Sequence, residues 1–143
     1  MTTTLSPFHL AIPVRNLEEA RDFYTRVLGC GTGREDTHWI DFDMFGHQVV
    51  AHLYEGMEKG IDTHNVVDGE DVPVPHFGIV LGMDAWQSLA SRLEAEAATR
   101  WVIKPGIRFA GLPGEQATMF ILDPSGNALE FKSFKDLGQL FAK

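Results

Sequence analysis

An α+β fold made of two paired βαβββ modules is what this sequence predicts, and three observations predict it. An apolar segment led by a proline and carrying one histidine occurs twice, as "PFHLAIPV" and "PHFGIVL". Each occurrence is followed by a helix signature and then by three strand-like segments. The spacing is kept: His9 and His76 stand 67 positions apart, and the predicted helix caps Asn16 and Asp84 stand 68 apart. One half alone is too small to bury a good core, so the two halves are expected to pair side by side.

The elements follow in order. After "FHLAIPV" comes "RNLEEARDFYTRVLGC". Asn16 is a favourable N-cap and Glu19 stands where a capping box is completed. Leu17, Ala20, Phe23, Tyr24, Val27 and Leu28 keep the spacing of an amphipathic helix, and Gly29 stops it. Strands are expected just after Gly29, in "HWIDFDMF", and in "HQVVAHLYE" beyond a Phe-Gly turn. The second helix takes Asp84 as its cap and Gln87 at the reciprocal position. Its apolar stripe is Trp86, Leu89, Ala90, Leu93 and Ala97. Strands are then expected in "WVIKPGIRF", "QATMFIL" and "ALEFKSF", the last two joined by "DPSGN", every residue of which favours turns. Module one spans about residues 5–56 and module two about 75–135; the polar, turn-rich stretch at about 57–74 reads as a connector.

Side chains alternate across a strand, so each face can be read. Phe8, Leu10 and Ile12 oppose His9, Ala11 and Pro13. Phe77, Ile79 and Leu81 oppose His76, Gly78 and Val80. Ala51 and Leu53 oppose Val50, His52 and Tyr54, and Leu129 and Phe131 oppose Ala128, Glu130 and Lys132. Each time a bulky row is suited to packing on a helix, and the opposite row holds one metal-capable residue. Ala11, Gly78 and Ala128 read as small neighbours that leave room for a ligand. A lone histidine or glutamate on a strand is most often plain polar surface. Four in matching places of a duplicated unit point instead to a shared divalent cation, for which imidazole and carboxylate are suitable donors.

Composition narrows the function classes. The chain has 143 residues, 44% of them hydrophobic and 22% charged, as expected of one globular domain. Its formal charge of −8 disfavours phosphate backbones and anionic lipid, so neither nucleic acid nor membrane is an expected partner. "MTTTLSP" lacks the features of a signal peptide, and the one cysteine, Cys30, gives no internal disulfide. A cytoplasmic location is therefore expected.

The stretches "FHLAIPVRNLEEARDFYTRVLGC", "PHFGIVL" and "FILDPSGNALEF" give the chain a family resemblance along nearly its whole length. It resembles the vicinal oxygen chelate superfamily of glyoxalase I, extradiol dioxygenases and bleomycin-resistance proteins, and is closest to small dioxygenase-like members. The resemblance implies paired modules whose curled mixed sheets form a metal-binding cleft, commonly in a homodimer. It places metal ligands at His9, His76 and Glu130, and a fourth at His52, where glyoxalase I enzymes usually carry a carboxylate. Bleomycin-resistance proteins lack these ligands.

Two histidines and one carboxylate make the facial triad of non-haem Fe(II) oxygenases. Three protein ligands leave three open positions, enough for a chelating catechol and dioxygen. The resemblance then implies an extradiol-type dioxygenase acting on a small catecholic or related oxygen-chelating substrate. His64 matches the placement of the acid–base histidine, although a solvated loop histidine is an equally good reading. "QATMFIL" holds no counterpart of the tyrosine that larger extradiol enzymes carry before their glutamate. If His52 also ligates, two positions remain, which suits a glyoxalase I-like isomerase with the metal as Lewis acid. A non-catalytic small-molecule binder is the third reading. Fe(II) is the expected metal, with Zn, Ni or Mn as alternatives.

Other residues carry less. His38 and His47 read as exposed, Trp39, Trp86 and Trp101 as packing residues, and Cys30 as structural. Arg108 is suited to a substrate carboxylate, though such an arginine is more often surface.

Overall fold

The computed structural model describes residues 5–56, 64–67, 70–141 and 143, and it divides into two units, Met1–Lys59 and Gly60–Lys143. Each is built around its own sheet. No helix among the described residues is long and apolar enough to cross a membrane.

In the first unit, β1 (His9–Val14) runs parallel to β4 (His47–Leu53). β3 (Trp39–Met44) and β2 (Gly31–Glu35) continue the sheet in antiparallel fashion, giving the order β1-β4-β3-β2. Between β1 and β2 lies α1 (Leu17–Asp22), capped as predicted: Asn16 Oδ1 accepts from the Glu19 N–H at 2.9 Å. The Glu19 carboxylate turns instead to Arg15, whose hydrogen bond to it holds its pKa below the usual glutamate value. The helix does not stay α-helical. Phe23–Val27 is π-wound, with Leu28 N–H donating to the Phe23 carbonyl, while the Thr25 hydroxyl donates to the Arg21 carbonyl. The predicted stripe nevertheless goes inward. Ala20, Phe23, Tyr24, Val27 and Leu28 are buried with Ile12, Val14, Ile40, Phe42 and Ala51, and Tyr24 stacks on Phe42. Phe8 and Leu53, expected in that core, are 64% and 38% exposed; Phe8 precedes β1 and Leu53 is the last residue of β4.

The Phe45-Gly46 turn fixes the register of β3 on β4. Both residues have positive φ, 52° and 88°, as the type I′ hairpin demands. Met44 therefore pairs with His47, and Trp39 with His52.

In the second unit the expected connector carries structure of its own, a hairpin of β5 (His64–Val67) and β6 (Glu70–Pro73). Val72 of this hairpin packs with Phe120 and Ala128. The "PHFGIVL" segment is not a full strand. It is an extended run with two parallel bridges to β9 (Ala128–Phe134), at Phe77–Leu129 and Val80–Lys132. The bonding is nonetheless continuous: Phe77 N–H to Ala128 O, Glu130 N–H to Phe77 O, Lys132 N–H to Ile79 O, Leu81 N–H to Lys132 O. β9 pairs with β8 (Gln116–Leu122), and β8 with β7 (Arg100–Arg108). The second unit thus repeats the first: the opening segment lies parallel beside the last strand.

The second helix, α2 (Met83–Ala95), is capped by Gly82, two residues before the expected Asp84. Asp84 falls in the first turn, where its charge meets the helix dipole favourably. Trp86, Leu89, Ala90 and Leu93 are buried as predicted, and Trp86 Nε1 donates to the Phe131 carbonyl. Ala97 lies past the helix end and is exposed. The turn before β9 is tied by Asp123, a fully buried side chain. Its Oδ1 accepts from the Ser125 and Asn127 N–H groups, which sets Leu122 opposite Ala128 and Phe120 opposite Glu130.

Gly78 has a role the sequence did not reveal. A β-carbon there would stand 1.5 Å from the Glu130 carbonyl oxygen, so only glycine permits this approach of the two backbones. Gly78→Ala should therefore cost roughly 2 kcal/mol or more, the scale of an overpacked core with a backbone shift. Urea unfolding of the variant beside wild type checks this; an unchanged midpoint would contradict the close contact.

Candidate metal centre

The parallel pairing of residues 76–81 with β9 brings His76 to Glu130. Glu130 is 7% exposed and lies on the face of β9 opposite Leu129 and Phe131. Its Oε2 accepts from the buried Thr118 hydroxyl at 2.6 Å. Its Oε1 faces His76 Nε2 at 3.5 Å and Lys132 Nζ at 3.8 Å, and Arg108 Nη1 lies 3.8 Å from Oε2.

His76 is held from two sides. Its ring meets Phe120 edge-on at 4.8 Å, and its Nδ1 lies 2.7 Å from the Pro73 carbonyl oxygen. A carbonyl only accepts, so Nδ1 bears the proton and, in the neutral ring, Nε2 presents its lone pair toward Glu130. The 3.5 Å separation is too long for a good hydrogen bond. It is within about half an ångström of the spacing of two donors on one small cation: ligand bonds of roughly 2.1 Å place tetrahedral neighbours about 3.4 Å apart and octahedral neighbours about 3.0 Å apart. A carboxylate with one oxygen tied by a hydroxyl and an imidazole with its far nitrogen tied by a carbonyl are how metal ligands are held from behind.

In the first unit the same logic fixes His9. Its Nδ1 lies 2.8 Å from Gln48 Oε1, and Gln48 Nε2 donates to Asp41 Oδ2 at 3.3 Å. Asp41 as a carboxylate only accepts, so the Gln48 amide must turn its nitrogen to Asp41 and its oxygen to His9. Nδ1 of His9 then carries the proton and Nε2 is again the free donor. Both histidines end in the same tautomer by separate routes.

His52 is not beside His9. In the β1–β4 register His9 pairs with Gln48 and Pro13 with His52, four residues further along, or roughly 13 Å. His47 is half-buried rather than exposed, and its Nδ1 accepts from the Phe8 N–H, fastening the start of β1. His38 is exposed. His64 lies in β5 with its backbone opposite Pro73. Among the described residues, no three His, Cys, Asp or Glu side chains converge closely enough to hold a metal; His76 and Glu130 converge as a pair. Gln48, Asp41 and Thr118 had no motif to announce them. Gln48 and Asp41 share a face only through the hairpin register, which the Phe-Gly turn does encode.

Two β-rich units, each with one helix and with its opening segment parallel to its last strand, define the vicinal oxygen chelate class. Residues 6–131 match the model of the Glyoxalase/Bleomycin resistance protein/Dioxygenase superfamily, and the chain belongs to that superfamily. Superfamily members typically bind divalent metals, bind small-molecule substrates and include many enzymes. A glyoxalase/bleomycin resistance protein/dioxygenase from Alicyclobacillus acidocaldarius is 35% identical. Its TM-score is 0.79, over 98% of this chain and 99% of that one. FosX, the fosfomycin resistance protein of Listeria monocytogenes, is 13% identical with a TM-score of 0.67, over 97% of this chain and 98% of that one. A virulence protein of Salmonella typhimurium is 18% identical with a TM-score of 0.61, over 93% and 99%. The last two share the fold. A search of the curated proteins finds no match.

Gln48→Leu keeps the size of the side chain and removes its hold on His9. Affinity for Zn(II) should fall about 10- to 100-fold, the usual effect of losing such a supporting partner, with folding unchanged. Competition with a chromophoric chelator measures it, and an unaltered affinity would contradict the assignment.

Proposed function

We propose that the chain is a metal-dependent, extradiol-type dioxygenase for a small catecholic or related oxygen-chelating substrate, with His9, His76 and Glu130 as ligands. The observation that carries this reading is the His76–Glu130 pair, with both side chains oriented from behind and their donor atoms turned to one another. The position of His52 supports it further. Gln48, with both ends of its amide engaged, stands opposite His9 while His52 stands four residues along, which favours three protein donors over four. That leaves room for a two-oxygen chelate and dioxygen, whereas the glyoxalase-like alternative needs the fourth ligand. Fe(II) suits the two-His, one-carboxylate set. Bound there, it supplies Lewis-acid polarisation and redox chemistry. The protein's part is to hold the donors, to orient the substrate and to move its proton. We assign the proton to His64, on the hairpin whose Pro73 supports His76.

Anaerobically purified protein should carry one divalent ion per chain, and His9→Ala, His76→Ala and Glu130→Ala should each weaken metal binding sharply. His52→Ala should keep the metal. Full retention in all three ligand variants would overturn the site. With catechols, oxygen uptake should accompany ring opening, and His64→Ala should slow it about a hundredfold while keeping the metal. Metal loss in His52→Ala with isomerase activity on a hemithioacetal would favour the glyoxalase-like alternative. A homodimer is also expected, with a sedimentation mass twice the 15.9 kDa of the chain.

A further inference from the structure

We infer that Thr118 is a positioning residue that limits Glu130 to a single metal bond, and so keeps a third coordination position open beside a chelating substrate. This rests on the metal reading above and adds what decides the number of open positions.

A carboxylate has two oxygens and can give a cation one of them or both. The difference matters here. With one bond from each of His9, His76 and Glu130, an octahedral ion keeps three positions, enough for two substrate oxygens and one further small ligand. With two bonds from Glu130 it keeps two, and the chelating substrate fills them. Nothing in the triad itself makes this choice.

The surroundings of Glu130 make it, because its two oxygens are held differently. Oε2 accepts from the Thr118 hydroxyl at 2.6 Å, the length of an O–H donor on a charged oxygen. Oε1 has His76 Nε2 at 3.5 Å and Lys132 Nζ at 3.8 Å, too far for good hydrogen bonds. The Lys132 side chain is 37% exposed, so it has room to turn toward solvent. The Thr118 hydroxyl has no such room. Thr118 is 1% exposed and lies within β8, opposite Lys132 on β9 and Gly106 on β7. Glycine offers no side chain on the β7 side to compete for the hydroxyl. A β-branched residue is also stiff about its first side-chain bond.

The residue type fits the task. In "QATMFIL", Thr118 is the one hydroxyl in a run of apolar residues from Ala117 to Leu122. A buried hydroxyl in so apolar a strand needs a partner, and its single proton goes to Oε2. That bond draws charge from Oε2 and fixes its direction, which leaves Oε1 as the better donor to a cation.

The test uses Thr118→Val, which keeps the branched shape and removes the hydroxyl, beside Thr118→Ser, which keeps the hydroxyl. Each protein is loaded anaerobically with Fe(II) and saturated with 4-nitrocatechol, a coloured two-oxygen chelator. Nitric oxide then probes the remaining position by electron paramagnetic resonance. Wild type and Thr118→Ser should bind both together. Thr118→Val should keep its iron and its 4-nitrocatechol, while its affinity for nitric oxide falls about 10- to 100-fold, the scale on which a ligand's supporting partner acts. Full nitric oxide affinity in Thr118→Val would overturn the inference and leave the metal reading standing. Loss of iron from Thr118→Val would overturn it as well, since Thr118 would then support the glutamate and do nothing more. X-ray absorption on iron-loaded wild type gives an answer that needs no variant. A single carboxylate oxygen, without the short metal–carbon distance of a two-oxygen carboxylate, supports the inference; the two-oxygen signature overturns it. Wild type that takes up no iron would remove the metal reading and this inference with it.

Discussion

The His76–Glu130 pair of the candidate centre depends on one backbone contact, the approach of Gly78 to the carbonyl of Glu130. The parallel hydrogen bonds from Phe77 to Leu81 along β9 need that closeness, and they put His76 next to Glu130. Shift the segment by one residue and the imidazole moves to the other face. The elements on either side keep the register in place. Asp123 ties the turn that sets β9 on β8, placing Thr118 and Phe120 against the glutamate and the histidine. The β5–β6 hairpin supplies the Pro73 carbonyl and anchors itself through Val72.

The arrangement is a division of labour between atoms. Each ligand candidate spends one polar atom on a fixed protein partner and leaves the other for chemistry. Glu130 gives Oε2 to Thr118, His76 gives Nδ1 to Pro73, and His9 gives Nδ1 to Gln48. Side chains so tied lose little further freedom on taking a ligand, which is how a site is made ready in advance.

Much of this was legible in the sequence because the relevant signals are local. The first helix's cap, the Phe-Gly and Asp-Pro-Ser-Gly-Asn turns and the alternation along β9 read correctly, and from them came the facing of Glu130. What could not be read is long-range. β1 and β4 are parallel, joined through a helix and two other strands, and no turn sets their register. His52 was assigned to the fourth-strand ligand position by resemblance, and that Gln48 stands opposite His9 could be seen only from the register. Gly78 looked like a space-giver for a ligand because its true constraint, another backbone, lies 52 residues further along the chain. Asp84 was read as a cap because aspartate serves equally well one turn inside a helix.

The central claim is that His76 and Glu130, with His9, are metal ligands through Nε2 and Oε1. X-ray absorption on zinc-loaded protein tests it most directly. The account predicts nitrogen and oxygen donors at roughly 2.0–2.2 Å with the outer-shell scattering of two imidazoles, falling to one in His76→Ala. A spectrum of oxygen donors alone, with no imidazole signature in wild type, would contradict it.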